Sequence, residues 1–114
     1  MTRNQEIAQE ILAQLGGNKF LVMTGANNLL AVKNGLRMNL PKNMSSANLL
    51  YITLGGDDLY TMRFDCWRKR RKIKGSLFDF EPDKITTVKE FEGVFFDQLQ
   101  ELFTSVTGMY TKLF

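Results

Sequence analysis

Residues 29–40 read LLAVKNGLRMNL, which is two apolar-rich runs joined by Asn34 and Gly35. Asn-Gly between such runs is the strongest short-range hairpin signal, because both central residues of a type I′ turn have positive φ angles. The pairs predicted across this turn are Lys33 with Leu36, Ala31 with Met38, and Leu29 with Leu40. One face of the hairpin is then mostly apolar, whereas Arg37 and Asn39 project from the other face.

Two more alternating segments follow the hairpin. The first has an apolar face formed by Leu50, Ile52 and Leu54. The second, after a turn at residues 55–58, places Tyr60, Met62, Phe64 and Cys66 on one side and Thr61, Arg63, Asp65 and Trp67 on the other. Cys66 is expected in the core, because a free cysteine behaves mostly as a small hydrophobe. The residues expected on the open face of the sheet are Arg37, Thr61, Arg63 and Trp67.

Two further strands are predicted outside this region. One starts at Lys19, runs through residues 20–23 and ends at Thr24-Gly25. The other contains Leu77, Phe78 and Phe80 and ends at the break formed by Glu81, Pro82 and Asp83.

Helices are predicted at both ends of the chain. A capping box at Thr2 and Gln5 opens the first helix, and Gly16-Gly17 ends it. Its apolar stripe is Ile7, Ile11, Leu12 and Leu15. The second helix has a stripe from Val88 to Val106, a capping box at Thr87 and Glu90, and a C-terminal stop at Gly108. Because glycine inside a helix costs about 1 kcal/mol relative to alanine, a helix that begins near Gly93, with residues 84–91 extended, is the alternative.

This order of elements predicts one α+β domain over residues 1–114. It is an antiparallel β-meander of four to five strands, flanked by an N-terminal and a C-terminal helix that pack on one sheet face. With 114 residues, 44% of them hydrophobic, the chain can bury one core. No stretch approaches the roughly 18–20 apolar residues of a membrane span, and the N-terminus lacks a signal pattern. A cytoplasmic location and no membrane partner are therefore expected.

The positive charge of the chain is concentrated in one short segment, directly after Trp67. Its six basic residues are Arg68, Lys69, Arg70, Arg71, Lys72 and Lys74. The whole chain has 15 basic and 12 acidic residues, a net charge of +3, whereas without these six the balance is 9 minus 12, or −3. Such a basic patch is typical of a site for phosphate or for an acidic protein face.

Nucleic acid, DNA more than RNA, is the partner that this segment favours. Lysine and arginine neutralise phosphates, and an exposed Trp67 can stack on a base. The predicted nucleic-acid-binding residues are Arg37, Arg63, Trp67, Arg68, Lys69, Arg70, Arg71, Lys72 and Lys74. The alternatives are a solvated loop that keeps a sheet edge soluble and a site for an acidic protein.

The composition argues against an enzyme. The chain has no histidine and one cysteine, which removes the usual general base, the commonest metal ligand and any multi-cysteine zinc site. Two acidic clusters, Asp57-Asp58 and Asp79, Glu81 and Asp83, are typical of turns and loops rather than of a magnesium site. Residues 16–19 lack the spacing of a phosphate-binding loop. We therefore expect no catalytic residue, no metal and no cofactor.

A second hypothesis is a protein that binds another protein. Residues 75–114 carry seven acidic and three basic residues. The acidic side chains that could mimic phosphates toward an arginine-lined groove are Glu81, Asp83, Glu90, Glu92, Asp97 and Glu101. The chain would then inhibit a host defence nuclease, as anti-CRISPR proteins do, or serve as a structural adaptor. Phe96 and Phe103 widen the apolar stripe of the second helix, so a homodimer is also possible.

Three stretches resemble a group of small uncharacterised proteins encoded by bacteriophages, prophages and conjugative elements. They are LGGNKFLVMTGA at residues 15–26, DLYTMRF at residues 58–64 and FEGVFFDQLQELFTSVTGMYTKL at residues 91–113. The resemblance covers most of the chain and implies a mobile element in a bacterial cytoplasm. It implies no activity and no catalytic residue. Residues 67–74 do not belong to the pattern, so a function of the basic segment would be particular to this chain.

Overall fold

The structure is a computed structural model that describes residues 3–68 and 84–109, with the backbone alone for Lys84. Its helices are α1 (Arg3–Leu15), α2 (Asn18–Thr24) and α3 (Leu99–Thr107), the last preceded by a short 3-10 turn (Phe96–Gln98). Its strands are β1 (Asn27–Val32), β2 (Gly35–Asn39), β3 (Leu49–Leu54), β4 (Tyr60–Arg68) and β5 (Lys84–Val94). All strands are antiparallel and lie in the order β1-β2-β3-β4-β5, which confirms the predicted meander.

One face of the sheet, the inner face, forms the core together with the helices. Cross-strand register pairs Leu36 with Ile52 and Ile52 with Met62, and Leu50 with Phe64, and all of these are buried. The Phe64 ring lies 6.3 Å from that of Phe103 in α3, and Phe103 lies 5.0 Å from Phe20 in α2. Helix α1 buries Ile7, Ile11 and Leu15 in the same cluster. The N-terminal and C-terminal helices therefore pack on one sheet face, as predicted.

The hairpin between β1 and β2 forms, but its register differs from the prediction. Val32 pairs with Gly35, so the loop is Lys33 and Asn34, and Asn34 has a positive φ of 57°. The predicted pairs are wrong: Ala31 lies opposite Leu36, and Leu30 opposite Arg37. Position 35 lies in β2 and requires glycine, because a Cβ there would lie 2.2 Å from the Ile52 carbonyl oxygen. Close approach to β3, and not the turn, decides the place of this glycine.

Residues 18–24 form helix α2, so the predicted strand from Lys19 is wrong. Phe20 and Thr24 lie one helical turn apart and are both buried, whereas Val22 between them is 83% exposed. The Thr24 hydroxyl donates to the Phe20 carbonyl oxygen at 2.7 Å, and Gly25 ends the helix with φ 72°. Packing of Phe20 on α3 overrides the weak strand preference of this short apolar run.

The apolar stripe from Val88 to Val106, predicted as one helix, is divided between strand β5 and helix α3. β5 occupies residues 84–94, so the helix predicted from Val88, with its capping box at Thr87 and Glu90, is wrong. The alternative is correct in making residues 84–91 extended, although α3 begins later than Gly93. Residues 85–88 are Ile-Thr-Thr-Val, which favours a strand, and Gly93 has φ 65°, an angle suited to a bulge. Gly108 ends α3 as predicted.

Three other expectations have different outcomes. Cys66 is half-buried and lies outside the core cluster, so its predicted burial is wrong. The predicted strand at Leu77, Phe78 and Phe80 lies outside the described residues. Within the described part of the chain, none of the helices has the length and apolar character to cross a membrane.

Candidate nucleic-acid interface

The outer face of the sheet, opposite the core, carries one row of side chains across four strands. Arg37 on β2 pairs with Tyr51 on β3, Tyr51 with Arg63 on β4, and Arg63 with Glu90 on β5. Directly opposed residues of neighbouring strands project from the same face, so these four side chains are neighbours. The prediction that Arg37 and Arg63 share a face is confirmed.

Tyr51 binds both arginines of this row. The guanidinium carbon of Arg63 lies 4.6 Å from the centre of the Tyr51 ring, and that of Arg37 lies 5.8 Å from it. The two cations approach from the strands on either side of β3. Each cation–π contact at such a site stabilises by about 0.5–1 kcal/mol. We call these three residues the Arg–Tyr–Arg cluster.

Asp65 fixes the second arginine of the cluster. The Nε of Arg63 donates to Oδ2 of Asp65 at 3.0 Å. The Asp65 side chain is 1% exposed and that of Arg63 is 42% exposed, so the pair spans the boundary between interior and solvent. The other oxygen, Oδ1, is buried and has no hydrogen-bond partner among the described residues. Asp65 therefore balances part of the Arg63 charge, and Arg37 is the freer cation of the two.

Trp67 is held at the end of the same strand by Asn48. The Asn48 side chain accepts a hydrogen bond from the Trp67 N–H and donates one to the Trp67 carbonyl oxygen, both at 2.7 Å. The Asn48 backbone bonds Leu40 and Asp65, which ties the residue to β2 and β4. Alternation along β4 puts Trp67 on the outer face with Arg63, about 13 Å away at 3.3 Å per residue. Trp67 is half-buried.

The nine predicted binding residues have three outcomes. Arg37 and Arg63 lie together in the cluster, while Trp67 and Arg68 lie at the end of β4, with Arg68 exposed. In the described part of the chain, neither Arg37 nor Arg68 makes an ion pair. The remaining five lie outside the described residues: Lys69, Arg70, Arg71, Lys72 and Lys74.

The outer face is less open than the alternation predicts. Leu49 and Asp65, a directly opposed pair on this face, are 2% and 1% exposed. Arg37, Thr61 and Arg63 are half-buried and not fully exposed. The exposed residues of this row are Leu30 on β1, opposite Arg37, and Glu90 on β5, opposite Arg63, and the half-buried Arg–Tyr–Arg cluster lies between them.

Sequence reasoning missed three residues of this interface: Tyr51, Asn48 and Asp65. Tyr51 could have been found, because the alternation that turns Leu50 and Ile52 inward also turns residue 51 outward. Asp65 could also have been found, because it lies two residues after Arg63 on the same strand and on the same face. The role of Asn48, in contrast, depends on which segments are neighbours in the fold. That information is not contained in any local pattern.

Possible metal-ligating side chains are dispersed over the described residues. Across residues 3–68 and 84–109, no three histidine, cysteine, aspartate or glutamate side chains are grouped to hold a metal ion. Asp57 accepts a hydrogen bond from the Leu59 N–H at 3.2 Å and Asp58 has φ 62°, which confirms the turn prediction. The second acidic cluster, Asp79, Glu81 and Asp83, lies outside the described residues.

Comparisons with protein-family models, with curated proteins and with solved structures find no match to this chain.

Proposed function

We propose that this protein is a non-enzymatic accessory protein of a mobile genetic element, and that it binds nucleic acid, DNA more than RNA, on the outer face of its sheet. The observation that carries the proposal is the Arg–Tyr–Arg cluster, in which two guanidinium groups flank one ring on a rigid sheet. The basic segment that follows β4 directly in the sequence extends this positive charge.

The cluster has the chemistry of a phosphate site. A guanidinium group presents several N–H donors in a plane and binds phosphate oxygens through two of them at once. Arg37 makes no ion pair in the described part of the chain, so its charge is available to a ligand. Contact with the Tyr51 ring restricts both arginines before binding, which lowers the entropy that binding removes.

Trp67 supplies a second kind of contact. Stacking of a base on an aromatic side chain contributes about 1–3 kcal/mol and tolerates any base sequence. The Asn48 side chain bonds both the N–H and the carbonyl oxygen of Trp67, so the indole is presented from a defined position. A phosphate contact at Arg37 or Arg63 and a stacking contact at Trp67 together favour single-stranded nucleic acid, whose bases are free to stack.

Fluorescence anisotropy with labelled single- and double-stranded oligonucleotides, at two salt concentrations, tests the proposal. The variants are Arg37→Gln, Trp67→Leu and a chain with residues 68–74 neutralised. Lys19→Gln is the matched control, because Lys19 is exposed on α2, away from the outer face. We expect each test variant to weaken binding and the control to leave it unchanged.

Salt dependence gives an independent measure of the same contact. The logarithm of the affinity should fall with the logarithm of the salt concentration, with a slope of about −0.7 per phosphate neutralised on a single strand. Arg37→Gln removes one phosphate contact, so the slope should become less steep by about 0.7. No binding of either oligonucleotide at low salt would overturn the proposal.

A further inference from the structure

Two consecutive phenylalanines directly after β5 are exposed. Phe95 is 56% exposed and Phe96 is 62% exposed, although the sequence pattern placed Phe95 in a buried stripe. Burying a phenyl side chain contributes about 1.5–3 kcal/mol, so two adjacent exposed rings forgo a substantial stabilisation. Large apolar side chains that lie together on a surface are typical of contact sites for other proteins.

The backbone that carries these rings is well ordered by its own hydrogen bonds. The Phe95 N–H donates to Oε1 of Gln98 at 3.0 Å, and the Gln98 N–H donates to the Phe95 carbonyl oxygen at 2.9 Å. Leu99, the first residue of α3, is completely buried directly after this turn. The two rings are therefore presented by a fixed turn between β5 and α3.

Carboxylates are close to the two rings in the sequence. Glu92, Asp97 and Glu101 are exposed within six residues of them, and residues 90–109 contain no lysine or arginine. The turn between β3 and β4, which contains Asp57 and Asp58, lies at the same end of the sheet. Tyr60 pairs with Val94, and the Leu59 side chain lies 3.9 Å from a Cβ placed at Gly93.

These five carboxylates have no counter-ion among the residues that the structure describes. The ion pairs found there are Arg3 with Glu6 and Arg63 with Asp65. The acidic surface also lies at the start of β4, whereas Arg68 lies at its end, about 27 Å away at 3.3 Å per residue. The two ends of the strand therefore present opposite charges, and a nucleic acid would be repelled here.

We infer that Phe95, Phe96 and the carboxylates of Glu92, Asp97 and Glu101, with Asp57 and Asp58 nearby, form a docking surface for a basic segment of another protein. The partner would insert an apolar side chain between or beside the two rings and place lysine or arginine near the carboxylates. An apolar centre with a charged rim is the usual anatomy of such interfaces, in which the centre supplies affinity and the rim supplies specificity. This inference does not depend on nucleic-acid binding at the outer face.

Nuclear magnetic resonance with synthetic peptides tests the surface without a known partner. The probe is a short peptide that alternates arginine and leucine, and the control probe is the same peptide with glutamate in place of arginine. We expect the basic peptide alone to shift amide signals, and the shifts to be concentrated at residues 92–101 and 57–59. Shifts spread over the whole surface, or equal binding of the acidic peptide, would overturn the inference.

Two variants separate the contributions of rings and charges. Phe95→Ser with Phe96→Ser should weaken binding of the basic peptide at least tenfold at physiological salt. Asp97→Lys with Glu101→Lys keeps the rings and should also weaken it at least tenfold. The controls are Val22→Ser, an exposed apolar residue on α2, and Glu6→Lys on α1, and neither should change the affinity.

Self-association is the competing use of the same rings, because the basic segment at residues 68–74 belongs to this chain too. Light scattering over a range of protein concentrations distinguishes the two. A monomeric wild-type protein, together with weaker peptide binding by both double variants, supports a surface for another protein. A dimer that the Phe95→Ser, Phe96→Ser variant dissociates would overturn the inference.

Discussion

Tyr51 on β3 and Arg63 on β4 stand directly opposite each other, and the guanidinium carbon of Arg63 lies 4.6 Å from the centre of the Tyr51 ring. Both residues belong to central strands of a five-stranded sheet, so the contact is supported on either side by hydrogen-bonded neighbours. An arginine held in this way is preorganised for an anion that approaches the outer face.

Replacing Tyr51 tests the cluster directly. Tyr51→Leu removes the ring that contacts Arg37 and Arg63, and two such contacts contribute about 1–2 kcal/mol in total. We expect urea denaturation to show a loss of that size and anisotropy to show weaker oligonucleotide binding. Tyr51→Phe keeps the ring and should retain most of both properties. Equal losses in the two variants would assign the effect to the hydroxyl group.

Asp65→Asn should have opposite effects on stability and on binding. The change removes the carboxylate that accepts from Arg63 Nε in a buried position, and we expect a loss of about 1–3 kcal/mol in the free energy of unfolding. It also frees the charge of Arg63, so oligonucleotide affinity should rise at low salt and fall more steeply with salt. Weaker binding at low salt would show that Asp65 acts by orienting Arg63 and not by neutralising it.

Gly35→Ala should strongly destabilise the sheet. The new Cβ would lie 2.2 Å from the Ile52 carbonyl oxygen and 2.9 Å from atoms of Thr53, so β2 and β3 would have to separate. We expect a loss of about 3 kcal/mol, the upper end of the usual range for overpacking in a core, because the close contacts are with backbone atoms. Gly56→Ala is the matched control, because a Cβ there meets no atom of the residues in the described ranges within 4 Å. Thermal unfolding of both variants checks this.

Asn48→Asp should loosen the end of β4. The aspartate keeps an oxygen that accepts from the Trp67 N–H but loses the donor to the Trp67 carbonyl oxygen, at a cost of about 1–3 kcal/mol. The chain has one tryptophan, so fluorescence reports on this position alone. We expect greater quenching of Trp67 by acrylamide in the variant. Unchanged quenching together with unchanged stability would contradict the role assigned to Asn48.

Tyr60 should make stability fall at high pH. Burial, assisted by the negative charges of Glu10 and Asp58, raises the pKa of Tyr60 above its ordinary value of about 10. The unfolded chain therefore loses this proton first as the pH rises through about 10, so the unfolded state binds fewer protons and stability decreases. Denaturation curves on both sides of pH 10 should show a smaller decrease for Tyr60→Phe. An identical decrease would place the titration on other groups.

The parts of the fold that the sequence predicts are those with a local period. Helix α1 and strands β3 and β4 have clear stripes or alternations, and each forms where expected. The run at residues 20–23 has no period that separates strand from helix, and contact between Phe20 and Phe103 decides in favour of α2. The C-terminal stripe misleads because its steps of three and four continue past Gly93, where a positive φ forms a bulge inside β5.

In the candidate site, too, the features with a local sequence period are predicted and those that depend on long-range pairing are not. Alternation places Arg37 and Arg63 on one face, and the structure confirms it. Their meeting at Tyr51 depends on the register between three strands, and the hairpin register is the point at which the Asn-Gly signal gave the wrong pairs. Long-range pairing is set by the packing of whole strands, for which the sequence holds no short motif.

The meander joins β4 to β5 through 15 residues, 69–83, and these include five of the six basic residues of the charged segment. Doubling the length of such a connection costs only about 0.6 kcal/mol in closure entropy. Insertions, deletions and new charges can therefore accumulate there while the remaining strands keep their pairing. Under the proposed function, mutations between β4 and β5 would change the affinity for nucleic acid while the strands on either side keep their pairing.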